Sequence, residues 1–142
     1  MVVSGLSAVV VAGSMRANAA QSGAFIENPR PWADDLVAIF VSRDVDKFLE
    51  TAIAYSYSVE GAERLRAYEP EMRKVFQITG KHRRTEFLTE KPVGSFIRVF
   101  WHVTAFERVI LYTRTEVVNL DSGWQFHSFF SNNNPAYVQL PV

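Results

Sequence analysis

The sequence predicts an α+β domain, with N-terminal helices packed on one face of a curved, four-stranded antiparallel meander sheet that forms a cone-shaped roll. Three observations predict it. Apolar residues recur at helical spacing as far as Gly80 and alternate with a period of 2 beyond it. The connections between the alternating segments are short, so neighbouring strands pair antiparallel in chain order. A chain of 142 residues with 48% apolar and 21% charged side chains can bury a core, which excludes a disordered or low-complexity class.

The N-terminus stands apart. Residues 1–19 hold one charge, Arg16, and an apolar run from Leu6 to Gly13, followed by Ala17-Asn18-Ala19. The run is too short to span a bilayer, and small residues flanking Asn18 fit the cleavage rule of a secretory signal peptide. No Lys or Arg precedes the run; an ordinary apolar element is the alternative. The expectation is a bacterial periplasmic or secreted protein, cut after Ala19, without stable membrane insertion once cut. Residues 20–30 then read as a tether, 31–134 as one cone domain and 135–142 as a tail.

Pro31 suits the first turn of a helix that carries Trp32, Leu36, Ile39 and Phe40 at helical spacing, ended by Ser42-Arg43-Asp44. Val45, Phe48, Leu49, Ala52 and Ile53 form the clearest amphipathic pattern in the chain, closed by Ser56-Tyr57-Ser58. A third stretch from Val59 to Phe76 puts Ala62, Leu65, Tyr68, Met72, Val75 and Phe76 on one side. Pro70 within it predicts a kink or two short helices joined at Glu69, and Gly80 is the stop. Strands follow at Thr85–Glu90, Phe96–Thr104, Arg108–Val118 and Trp124–Ser131.

Alternation assigns faces. Val99, Trp101 and Val103 on the second strand, Leu111, Thr113, Thr115 and Val117 on the third, and Trp124, Phe126 and Ser128 on the fourth are expected to meet the helices. The opposite face then holds Phe96, Arg98, Phe100, His102, Ile110, Tyr112, His127 and Phe129. Aromatics interleaved with Arg and His on an open face mark an interface, so a homodimer packed through this outer face is expected, unless the tail folds back over it.

Helices followed by long strands, ending in Asp121-Ser122-Gly123-Trp124-Gln125-Phe126-His127-Ser128-Phe129, resemble the nuclear-transport-factor-2-like superfamily of cystatin-like, ketosteroid-isomerase-like cones. The likeness runs from Pro31 to Asn134 and is nearest to small secreted bacterial members of unknown function. It implies a pocket between helices and sheet, in which enzymatic members keep an acid or base, and dimers formed through the sheet in many others.

No inward strand position carries Asp, Glu or His, so no catalytic residue is assigned. Tyr55, Tyr57, Tyr68, Phe76, Trp101, Thr113 and Phe126 are the pocket-lining candidates. His102, His127 and Glu116 make a possible metal set, but their spacing is not a ligand motif, and neither metal nor cofactor is assigned. Lys81-His82-Arg83-Arg84 reads as a solvated basic run. No phosphate loop or triad motif is present, the balance of 15 Lys and Arg against 15 Asp and Glu argues against nucleic acid, and the absence of Cys excludes disulfides and thiolate chemistry. The leading expectation is an exported non-catalytic domain that binds a partner protein or a small apolar ligand. An isomerase- or dehydratase-like enzyme and a structural subunit of an envelope assembly are the alternatives.

Overall fold

A computed structural model of the protein describes residues 24–120 and 122–141. The expected signal peptide, its cleavage point and the start of the tether lie outside the described residues. Four helices precede the strands: α1 (Pro29–Val41), α2 (Val45–Ala54), α3 (Val59–Ala67) and α4 (Glu69–Thr79). Four strands follow, β1 (His82–Val93), β2 (Ile97–Phe106), β3 (Ile110–Val118) and β4 (Gln125–Asn132), then a 3-10 turn, η1 (Pro135–Val138). The sheet is an open antiparallel meander in the order β1-β2-β3-β4.

Local chemistry sets the helix ends. α1 opens at Pro29, two residues ahead of Pro31, because the first turn needs neither proline's missing N–H. The Asp44 carboxylate accepts from the Lys47 amide at 3.0 Å and the Ser58 hydroxyl from the Gly61 amide at 2.9 Å, capping α2 and α3. Pro70 splits the third stretch into two helices, sitting in the first turn of α4.

α1 lies across β1, β2 and β3 and carries the inner core. Phe40 is the hub: its ring centroid is 5.3 Å from Phe48, 5.0 Å from Phe76 and 4.9 Å from Phe129. Leu36, Leu65, Met72, Phe106, Leu111 and Phe126 close around this stack. Such tilted pairs add about 0.5–1.5 kcal/mol each beyond the area they bury. The interior of the roll is therefore filled with rings along most of its length.

Register corrects the face assignment on β2. His102 stands opposite Thr113, Phe100 opposite Thr115 and Trp101 opposite Arg114. Directly opposed residues share a face, so inward Thr113 and Thr115 require inward His102 and Phe100. Phe100 is fully buried against Ala33 and Val117, while Val99 and Trp101 face away from the helices. Both faces of β2 are apolar, so alternation could not choose between them. On β4 an irregularity opposite Glu116 and Val117 shifts the phase. Phe126 and Phe129, three apart, consequently both point into the core.

The outer face is covered by the chain's own C-terminus. Val138 is fully buried on Val99 and Trp101, with Leu140 packed beside it. The Trp101 indole N–H donates to the Val138 carbonyl at 2.8 Å. The β4 edge is also occupied: the Tyr57 amide donates to Phe126 at 2.8 Å, and the Ile26 amide to Trp124 at 2.7 Å.

Candidate functional site

Two places combine burial with chemistry. The first is a cleft of about 260 Å³ at the end of the sheet, under α4. Phe40, Met72, Val75 and Leu111 line it with apolar surface; Tyr68, Glu71, Ser131, Asn132 and Asn133 supply the polar lining. Tyr68, Met72 and Val75 reach it because they follow one another at i, i+4 and i+7 on one stripe of α4 and its cap. Leu111 opens β3 and Asn132 ends β4, so the cleft forms where the sheet runs out before the helical layer does. Its size falls just below the usual range of ligand pockets, roughly 300–1,000 Å³, which limits it to a small ligand.

The second lies inside the roll. His102, 2% exposed, bonds through Nε2 to Asp34 Oδ1 of α1 at 2.7 Å. A carboxylate only accepts, so the imidazole donates. Arg30 pairs with Asp34 from one turn earlier at 3.2 Å, and its guanidinium lies 3.3 Å from the centroid of Phe87, whose ring meets His102 at 5.5 Å. Burial holds the His102 imidazole below its ordinary value, outweighing the Asp34 carboxylate, which favours the charged form; Arg30 adds to the lowering. His102 Nδ1 and the hydroxyls of Thr113 and Thr115 are buried without a hydrogen-bond partner among the described residues. None of these residues lines the cleft under α4.

On the outer face, Glu116 binds Arg114 on its own strand and accepts from His127 Nδ1 at 3.2 Å. Burial pushes the Glu116 carboxyl up, but the His127 bond and the Arg114 charge outweigh it and the net shift is downward. His102 belongs to the opposite face, so it cannot join His127 and Glu116 around one ion. No group of three or more His, Asp and Glu suited to a metal occurs among the described residues.

The pocket candidates scatter. Tyr68 lines the cleft. Phe76, Thr113 and Phe126 are buried core, Tyr55 packs edge-on to Trp32, and Tyr57 is exposed beside His127. Trp101 is on the wrong face for a pocket, under the C-terminal turn.

The interface candidates divide as well. Phe100, His102 and Phe129 are withdrawn: each is 2% exposed or less and faces the helices. Arg98 also lies inward, at the sheet's open end, bonded to Glu90 and 5.6 Å from the rings of Phe100 and Trp124. Phe96 and Ile110 are exposed, His127 is half-exposed, and Tyr112 packs with the Trp101 group.

Sequence reasoning missed Asp34, Glu71, Met72, Leu111, Asn132 and Asn133 as site residues. The Asn132-Asn133-Asn134 run at the end of the last strand was the one available signal.

No family model matches the chain, and no curated protein matches it. Solved structures do. One, from Thiobacillus denitrificans and assigned as a calcium/calmodulin-dependent protein kinase type II association domain, is 14% identical; the match covers 78% of this chain and 98% of that one, with a TM-score of 0.51. Another, a domain of unknown function with a cystatin-like fold from Nostoc punctiforme, is 11% identical over 75% of each chain, with a TM-score of 0.50. At these identities the likeness is one of fold. The chain shares its α+β, cystatin-like fold with these structures.

Proposed function

We propose that the protein is a non-catalytic binding domain that takes a small apolar ligand in the cleft under α4. The filled roll carries this reading. The stack of Phe40, Phe48, Phe76 and Phe129 occupies the space between helices and sheet in which the resemblance implies a pocket. The cleft that remains has an apolar lining and polar groups that can orient a ligand, as small-molecule sites do. Export is part of the proposal, on the strength of the Leu6–Gly13 run and Ala17-Asn18-Ala19.

A neutral apolar fluorophore such as N-phenyl-1-naphthylamine tests it. Saturable enhancement at one site is expected, lost in Leu111→Trp and Val75→Trp, which fill the cleft. An unsaturable wild type, or filled variants that bind equally well, would overturn the reading.

A second reading, an acid–base enzyme acting on a small apolar substrate, is favoured by the Asp34–His102 pair. It requires a path to His102 Nδ1 from solvent. Loss of turnover in His102→Gln on an isomerisable or dehydratable substrate would establish it over the first.

A further inference from the structure

A second groove lies at the opposite corner of the helical layer and shares no lining residue with the cleft under α4. It runs between the C-terminal end of α1 and the start of β1, with a volume of about 470 Å³. Ala38, Val41, Ser42, Arg43, Lys81, His82 and Thr85 line it. Every charged or titratable side chain among them is basic.

Three details set this corner apart from an ordinary solvated run. Arg43 is one of two non-glycine residues with positive φ among the described residues, at 68°. Asn or Gly would close α1 there without strain, and strained backbone of this kind gathers at ligand clamps. The Arg43 guanidinium reaches across 37 positions to donate from Nη1 to the Gly80 carbonyl at 2.9 Å, which fixes it at the groove beside Lys81. The Arg108 guanidinium also lies at Gly80, within 3.4 Å of where a β-carbon would be. Of the nearby acids, Glu86 pairs with Arg84 at 2.6 Å and Asp44 caps α2, while the Glu107 carboxylate stays at this corner, accepting from the Lys81 backbone amide at 2.8 Å and offsetting part of the charge of Lys81 and Arg108.

We propose that this groove binds a phosphoryl group. Arg43, held by its bond to Gly80, and Lys81 flank it, and a guanidinium can grip two phosphoryl oxygens at once. The His82 ring lies on the same wall, held by its Nε2 bond to Thr85 Oγ1 at 2.8 Å. The phosphoryl group can come from a soluble phosphate ester or from a lipid headgroup, and the two sources separate experimentally.

The full chain is titrated with inorganic phosphate at constant ionic strength, with chloride as the control, and the His82 ring and the Arg43 and Lys81 amides are followed by NMR. A saturable shift that chloride does not reproduce is expected. Lys81→Gln should weaken it at least tenfold. Arg43→Gly should abolish it while raising the melting temperature, because glycine relieves the strain; a residue kept only to close α1 would not show this pairing. Flotation with phosphatidic acid vesicles, against phosphatidylcholine, assigns the source: binding lost in Lys81→Gln points to a headgroup, and phosphate binding without flotation to a soluble ester. Shifts equal to those in chloride together with no flotation, or binding unchanged in both variants, overturn the proposal.

Discussion

His102 Nε2 donates to Asp34 Oδ1 at 2.7 Å, tying the middle of β2 to α1 across 68 positions of chain. The imidazole is buried and its folded value lies below its ordinary one, so the folded state holds this ring neutral. In the unfolded chain the ring binds a proton near pH 6.5. Below that pH the unfolded state binds more protons than the folded state, so stability falls as pH drops and is complete above about 6.5. Urea unfolding at pH 7.5 and pH 5.5 should show the loss, and His102→Gln should show a smaller one. An equal slope in the variant would mean that other groups carry it. Glu116 adds a separate loss at lower pH, as its carboxyl is protonated below the ordinary carboxylate range.

The same residue shows what was legible in the chain. The change from helical to alternating spacing at Gly80 is a property of single segments, so the helices, the strands and their order could be read directly. Which face of β2 turns inward depends on pairing with β3, a relation between segments, and β2 carries apolar residues on both faces. The Thr113 and Thr115 alternation on β3 was sound, and the register then forces His102 inward. The cleft under α4 was not legible, because it forms where elements end at different heights. Of its residues, Tyr68 alone was foreseen as lining a pocket.

The phase shift on β4 makes a direct test. Phe129 touches both Phe40 and Phe48, at 4.9 Å between centroids in each case, and is fully buried. Phe129→Ala should cost about 3–5 kcal/mol in a denaturant melt, the range for a lost core aromatic. Trp124 is half-buried and shares its ring with the Arg98 guanidinium, so Trp124→Ala should cost less. The reverse order would restore simple alternation along β4.

Gly80 joins α4 to β1 with φ 78° and ψ −164°, a region that glycine alone enters without strain. A β-carbon there would lie 2.8 Å from Glu107 Cβ, the root of a side chain rather than its flexible end. Gly80→Ala should therefore destabilise the fold by about 1–3 kcal/mol. Gly94, at φ 66°, has nothing within 4 Å of its would-be β-carbon. Gly94→Ala should lose stability through backbone strain alone, and thermal melts of the two variants should differ in that order.

The C-terminal turn answers the question posed by the outer sheet face. Val99 and Trp101 would be open to water without Val138 and Leu140, and apolar area left in water costs roughly 25 cal/mol per Å². The Trp101–Val138 hydrogen bond adds a buried polar anchor at 2.8 Å, so the turn is docked rather than merely adjacent. A chain that ends at Asn134 loses the cover and leaves the indole N–H unpaired. It retains an apolar face with exposed Ile110 at its margin, which suits a second copy of itself. In sedimentation velocity, the full-length protein should therefore run as a monomer and the shortened chain as a dimer or larger species. Trp101 emission should move to longer wavelength when the shortened chain is diluted. Val138→Asp in the full-length chain should behave as the truncation does, since it buries a carboxylate against Trp101 unless the turn lifts off. A shortened chain that stays monomeric with unshifted emission would mean that the sheet face tolerates water. A full-length dimer would mean instead that the turn itself belongs to the interface, with Tyr137, 69% exposed, facing the partner copy.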